Sequence, residues 1–233
     1  MRGISSMATR QVLAELADAA VAAGFPRVEI ESVGGVTAAN RVAEGEAFDL
    51  VLLASGALAK LAAAGHVLAD SVVPLVLSQV AVAVPSGSDA TAEKPVGAAF
   101  EDAAGVRAAL RAARAIGYST GPSGDALVRM IAEWGLTEEV GDRLVQARAG
   151  VPVAKLLADG EVDLGFQQLS ELVGQEGVRI LGVMPDDCAI DTVFSGAVAA
   201  ASQDAVAAEV LAFFASDAAA PIKQAHNFTL PQH

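Results

Sequence analysis

Basic residues, cysteine, histidine and aromatic rings are all scarce in this chain, and each shortage removes a class of function. The 15 Lys and Arg against 28 Asp and Glu leave a formal net charge of -13. Such a chain offers no basic face to a phosphate backbone, so nucleic acid is excluded as an expected partner. The single cysteine, Cys188 in PDDCAID, has no internal disulfide partner and no neighbouring His or Cys to complete a metal site. It reads as a passive thiol. Three histidines, His66, His226 and His233, fall in a post-helix turn and at the tail, so no serine has a visible histidine base. Asp186, Asp187 and Asp191 crowd together after Pro185, but acidic turn residues on a solvated face explain them, and no metal is expected. No Gly-Lys-Ser/Thr phosphate loop exists, and Gly117, Gly121 and Gly124 do not fit the dinucleotide fingerprint. Ser123 in GPSGD does not fit the Gly-x-Ser-x-Gly elbow, and no cofactor is expected. No apolar run approaches the ~18 residues that span a bilayer, so no membrane span is expected. The start MRGISS lacks the apolar region of an export signal. As written, the chain is expected in the cytoplasm, or in the periplasm if its start is trimmed or misassigned.

Small and branched aliphatics fill the gap that the missing rings leave. With 53% hydrophobic residues and only 4% aromatic, packing must come from Ala, Val and Leu on helix faces and buried strands. The order of segments fits α/β layering. A first strand at Arg2 to Ser5 leads to a helix capped by Ser6 and ended by Gly24. A strand at Arg27 to Val33 is followed by a helix at Thr37 to Glu44, an apolar strand at Asp49 to Ala54 and a helix from Ser55 to Gly65. Val72 to Val84 reads as a pair of strands leading out of a first lobe, and Pro85 to Lys94 as a polar surface loop. Helix Phe100 to Arg114, strand Ile116 to Ser119, helix Gly124 to Trp134 and strand Arg143 to Gln146 come next. Strands at Val178 to Val183 and Thr192 to Ala199 and two closing helices complete the series. Regular strand-helix alternation implies right-handed crossovers and mostly parallel sheets.

One stretch, Gly150 to Ser170, reads as loop, short helix, turn and buried strand, and it delivers Gln167, Gln168 and Ser170 to one spot. It has an earlier echo in Gly35 to Gly56, with Gly35 matching Gly150 and Gly45 matching Gly160. Two copies of one device suggest two similar α/β lobes, whose ligands sit where loops leave the carboxyl ends of strands. The segment YSTGPSGDALVRM gathers Ser119, Thr120 and Ser123 at a helix start, where free N–H groups and the helix dipole attract oxyanions without Lys or Arg. Alternatively Ser123 or Thr120 only caps that helix. Further helix starts lie at Ser5-Ser6, Gly35-Val36-Thr37 and Gly150-Val151.

The motifs ISSM at the first strand end, SVGG before a short helix, AEGEAFDLVLLAS, AIGYSTGPSGDALVRMIAEWGL and LADGEVDLGFQQLSELV followed by TVFSGAVAA resemble the type II periplasmic binding-protein fold. They are most similar to its molybdate/extracellular solute-binding branch. The resemblance covers nearly the whole chain. It implies two α/β lobes joined by crossover strands, with an oxyanion or small carboxylate held in the inter-lobe cleft. The ligand-binding positions it implies are Ser5, Ser6, Gly35, Val36, Ser119, Ser123, Gln167 and Gln168. Molybdate binders usually present a serine where this chain has Gly35-Val36, and often a tyrosine where it has Gln167-Gln168. Two amides suit a carboxylate bearing hydroxyl or keto groups better than a bare tetrahedral oxyanion.

The reading is a non-catalytic binder of a small anionic metabolite or oxyanion, with an ABC transporter as partner if exported. Residues 1-84 and 193-233 are expected to form one lobe and 85-192 the other, hinged near Val82 to Pro85 and Thr192 to Gly196. The alternative is a cytosolic isomerase or tautomerase of an unsaturated carboxylic acid, with Glu171 or Asp125 as base. An effector-sensing domain of a transcription regulator is a third reading, opposed by the absence of a helix-turn-helix or basic segment.

Overall fold

Alternating strands and helices organise the chain, a computed structural model of which describes residues 1–87, 90–148 and 150–231, as two compact units. Unit 1 comprises Met1–Leu77 and the segment from Thr192 onward; unit 2 is Ser78–Asp191. Two positions of the expected polar loop, 88 and 89, and the tail His233 lie outside the described residues.

Unit 1 opens with β1 (Arg2–Ser6), whose last four residues are buried. The expected helix capped by Ser6 is instead a single 3-10 turn, Met7–Thr9, followed by α1 (Arg10–Ala22). Ser6 makes no side-chain cap bond. Helix α1 forms because Val12, Leu13, Leu16, Ala17 and Ala20 make one buried stripe at helical spacing. Strand β2 (Glu29–Val33), helix α2 (Gly35–Ala43), strand β3 (Leu50–Ala54) and helix α3 (Ser55–Ala63) follow. Strand β1 lies between β2 and β3, parallel to both. The stretch read as a strand pair is one 13-residue strand, β4 (Val73–Pro85). It contains no turn-forming Gly, Asn or Asp, and Pro74 sits exposed near its start, where a missing N–H is tolerated. The boundary between the units falls within β4, after Leu77.

Unit 2 begins with the rest of β4 and continues through α4 (Ala103–Ala112), β5 (Ile116–Tyr118) and α5 (Pro122–Glu133). A short helix α6 (Thr137–Val140), missed in the sequence, leads to β6 (Leu144–Gln146). Helix α7 (Val153–Ala158), strand β7 (Leu164–Gln168), the four-residue α8 (Leu169–Leu172) and strand β8 (Val178–Val183) complete it. Strand β5 is parallel to β6 and β7, and β4 is antiparallel to β7 and β8. The chain then returns to unit 1 as β9 (Asp191–Val198), antiparallel to β3, with α9 (Ala207–Ala215) and α10 (Ala220–Ala225) behind it.

Each unit has its own core on both sides of its sheet, as buried parallel strands require. In unit 1, one cluster joins Leu16, Leu50, Leu52, Val210 and Phe214, and another Ile4, Val51, Leu53, Leu58 and Phe48. In unit 2 the clusters gather around Val82, Leu110, Ile116 and Leu127, and around Ala81, Val153, Leu157 and Leu172. The repeated device is visible in both. Helix α2 reaches β3 through Gly45 at φ +86°, and α7 reaches β7 through Gly160 at φ +74°, left-handed positions where a Cβ would be strained.

Candidate functional site

In unit 1 the parallel register pairs Ser6 with Val33 and Ser5 with Leu52, so three strand ends finish level at one edge. The 3-10 turn at Met7, helix α2 at Gly35 and helix α3 at Ser55 all start there. Most hydroxyls on this edge are already engaged. Ser5 Oγ shares a hydrogen bond of 2.7 Å with Ser32 Oγ. Ser55 Oγ donates to Val193 O at 2.9 Å and lies 2.7 Å from Ser195 Oγ. Thr9 Oγ1 donates to Ser6 O at 3.3 Å.

Ser6 differs. Its residue is 7% exposed, yet its Oγ has no hydrogen-bond partner among the described residues. A Cβ built on Gly35 would lie 3.7 Å from Ser6 Cβ, so the unpartnered hydroxyl and the first residue of α2 are neighbours. The residue before α2 is Gly34, which has no side chain to cap it, leaving the first-turn N–H groups of Gly35, Val36 and Thr37 uncapped. A buried hydroxyl beside a free helix start is the arrangement that accepts an anion. Val36 contributes its backbone, since the residue is 72% exposed.

In unit 2 the corresponding edge is built by β5 and β7, where Tyr118 pairs with Phe166. The chain leaves β5 through Ser119 and Thr120, turns at Gly121 with φ +92°, and enters α5 at Pro122, whose missing N–H costs nothing at a first helical position. Ser119 Oγ and Ser123 Oγ are 3.1 Å apart. Neither Thr120 nor Ser123 caps the helix, because Gly121 holds the cap position. Gly124 is required by contact. A Cβ there would come within 1.8 Å of Ser119 O, so helix and strand end can approach this closely only with glycine.

The two amides at the end of β7 both make side-chain hydrogen bonds. Gln167 Oε1 accepts from Val153 N at 2.8 Å and Ala154 N at 3.4 Å, closing the start of α7. Its Nε2 donates to Glu171 Oε2. Gln168 Oε1 accepts from Ser78 Oγ at 2.5 Å. Burial pushes the Glu171 carboxyl above the usual carboxylate range, partly opposed by the bond from Gln167. Asp125 is exposed on the first turn of α5. Ser170 Oγ, beside Glu171, is buried and has no hydrogen-bond partner among the described residues.

The structure therefore gathers Ser5, Ser6 and Gly35 on the unit 1 edge and Ser119 and Ser123 on the unit 2 edge, while Gln167 faces α7. Sequence reasoning missed Ser32, Ser55, Ser78 and Ser195 as hydroxyl partners; Ser32 and Ser55 sit within one residue of a strand end, whereas Ser78 and Ser195 lie inside β4 and β9. A separate groove of about 350 Å³ on unit 2 is lined by Met130, Glu133, Trp134, Cys188 and Asp191 and holds none of the expected site residues. Burial and the neighbouring Asp187 push the Cys188 thiol up to about 11, which makes it a poor nucleophile. Asp187 itself accepts from Ala103 N at 3.0 Å, a structural role at the start of α4. Among the described residues no group of three or more His, Cys, Asp or Glu side chains is placed to hold a metal ion.

Residues 2–229 match the family described as bacterial extracellular solute-binding protein. Among characterised relatives, an aconitate isomerase from a Pseudomonas species is 37% identical over 176 residues, which is 74% of this chain and 63% of that protein. The chain thus spans less than two thirds of that relative's length. Among solved structures, the periplasmic molybdate-binding protein of Azotobacter vinelandii superposes with a TM-score of 0.75 at 20% identity, covering 100% of both chains. A sulfate-binding protein from Mycobacterium tuberculosis gives 0.70 at 16% identity over 98% of this chain and 85% of its own. At such identities these likenesses establish the shared fold, the two-unit α/β type II periplasmic binding-protein fold. With the family match spanning nearly every residue, the chain belongs to the bacterial extracellular solute-binding proteins.

Proposed function

We propose that this chain binds a small carboxylate anion, preferring a di- or tricarboxylate to a tetrahedral oxyanion. The observation that carries the reading is the Ser6 hydroxyl, 7% exposed, without a partner and beside the uncapped start of α2. A buried hydroxyl left unpaired costs folding free energy, and a ligand oxygen at this place would recover it. The backbone N–H groups of Gly35 and Val36 belong with Ser6, and Ser119, Ser123 and the start of α5 offer the same kind of hydroxyl and backbone donors within unit 2. No lysine or arginine belongs to this set, so charge is met by hydroxyl and backbone dipoles. Gln167 is assigned to support behind the ligand set, because its amide is already bonded on both its oxygen and its nitrogen. Membership of an extracellular family supports a periplasmic location and an ABC transporter as the partner that takes the solute. The test is a thermal-shift series with aconitate, citrate, malate, sulfate and molybdate. A ligand at 100 times its Kd adds about 2.7 kcal/mol of stability. Stabilisation by the polycarboxylates is expected, and stabilisation by molybdate alone would refute the preference.

A second reading has its own support, the 37% identity to an aconitate isomerase together with a buried carboxyl at the end of β7. In it the bound acid is unsaturated and is isomerised rather than delivered. Proton NMR of aconitate incubated with the protein separates the two readings, since a binding protein leaves the cis and trans proportions unchanged.

A further inference from the structure

We propose that Glu171 is the proton-transfer group of an isomerase acting on an unsaturated di- or tricarboxylate, with Gln167 as its positioning residue. The proposal rests on the second reading above. Of the two carboxyls that the sequence offered, the structure separates Glu171 from Asp125. Asp125 is exposed on the first turn of α5 and makes no side-chain hydrogen bond among the described residues. Glu171 stands one turn beyond the end of β7 and is held by a named partner.

The hold is directional. Val153 N and Ala154 N both donate to Gln167 Oε1, so the amide cannot turn over without leaving two N–H groups facing an NH₂. Its Nε2 must therefore face Glu171 and donate to Oε2. Oε2 is thereby fixed as an acceptor, and the proton that Glu171 gains or loses is directed to Oε1, for which no described residue supplies a hydrogen bond. This is the relation of an orienting group to a general base, here with an amide that holds the carboxyl without neutralising it. Burial, which raises the carboxyl's pKa, brings it nearer the working range of a base that must also return its proton.

The chemistry balances without any co-reactant. The substrate class is an acid with a CH₂ group between a carboxylate and a C=C bond. Glu171 carboxylate takes one proton from that CH₂; the C–H electron pair forms a new C=C bond, and the old π pair moves to the far carbon. That carbon takes the proton back from Glu171, so one bond shifts and nothing is oxidised or reduced. The transient negative charge spreads onto the substrate carboxylates.

The experiment follows trans-aconitate in D₂O by NMR with the wild-type chain, Glu171→Gln, Glu171→Asp, Gln167→Met and Asp125→Asn. Wild type should interconvert the isomers and place deuterium on carbon. Glu171→Gln should lower kcat by about 100-fold or more with binding retained, the range for loss of a general base. Glu171→Asp, which keeps a carboxyl, should recover part of the rate even if the amide variant folds poorly. Gln167→Met should lower kcat while KM moves by less than about twofold, a split that general loosening of the site would not give. An active wild type whose rate survives Glu171→Gln, or is abolished by Asp125→Asn instead, overturns the assignment alone. A wild type that binds trans-aconitate without interconversion or exchange overturns both the assignment and the reading beneath it.

Discussion

Replacing Ser6 by alanine should change stability and affinity in opposite directions, because its hydroxyl is buried and unpartnered in the ligand-free protein. Taking a hydroxyl out of water without a new hydrogen bond costs about 1 to 3 kcal/mol by protein mutational data. Alanine removes that cost and leaves a gap smaller than a methyl group, which returns a few tenths of a kcal/mol. The expected net gain in the absence of ligand is about 0.5 to 2 kcal/mol, and in a chain of this length each kcal/mol raises Tm by roughly 2 to 4 °C. The same substitution takes one donor from a charged ligand, which costs about 1.5 to 3 kcal/mol, or roughly 10- to 150-fold in Kd. Urea unfolding of both proteins without ligand, followed by calorimetric titration, reads the two effects separately. A Ser6→Ala protein less stable than wild type by about 1 kcal/mol or more would show that the hydroxyl has a partner in the folded chain, and the reasoning would fail.

Three further outcomes follow from the geometry. Gly124→Ala would drive a Cβ to within 1.8 Å of Ser119 O, so the start of α5 must shift; destabilisation of at least about 2 kcal/mol in urea is expected, and a loss below 0.5 kcal/mol would contradict the packing. Lys223 is 1% exposed, and burial lowers its pKa, partly offset by Asp217. The folded chain then binds fewer protons than the unfolded chain between the lowered pKa and the free value near 10.4, so this residue's contribution to stability should rise with pH across that window and should vanish in Lys223→Met. For Glu171 the sign is reversed. A raised folded pKa gives stability present below the unfolded value near 4.3 and lost as pH climbs through the folded one, so stability curves of wild type and Glu171→Gln should diverge above about pH 4.3. Parallel curves would mean that the carboxyl is not buried.

Local pattern carried most of the fold. The stripe from Val12 to Ala20, the apolar run from Leu50 to Leu53 and the Gly45 and Gly160 turns are written in residue type and spacing, and these elements fell where the sequence placed them within a few residues. What failed depended on partners distant in the chain. Val73–Pro85 reads as two strands because nothing local distinguishes a long strand passing from one unit to the other from a pair, and its pairing with β7 and β8 comes from residues about 80 to 100 positions later. The positions at Ser6, Gly35, Ser119 and Ser123 were legible because strand ends followed at once by helices leave free N–H groups that short polar residues attend. The fate of the Gln167 amide was not. Val153 lies 14 residues before it, and only the folded register brings that N–H to the side-chain oxygen. Likewise, Ser5 and Ser6 look equivalent in sequence, and the difference between them arises from Ser32, supplied by β2.

The most direct measurement is a backbone amide NMR titration of the isotope-labelled chain with cis-aconitate, trans-aconitate and molybdate, with signals assigned at Ser6, Gly35, Val36, Ser119, Ser123 and Gly124. The account predicts saturable shifts at these amides with a polycarboxylate, largest at Gly35 and Val36 and at Ser123 and Gly124, where uncapped helix starts offer free N–H groups. Shifts confined to the groove around Trp134 and Cys188, or saturation by molybdate with none by any carboxylate, would contradict it.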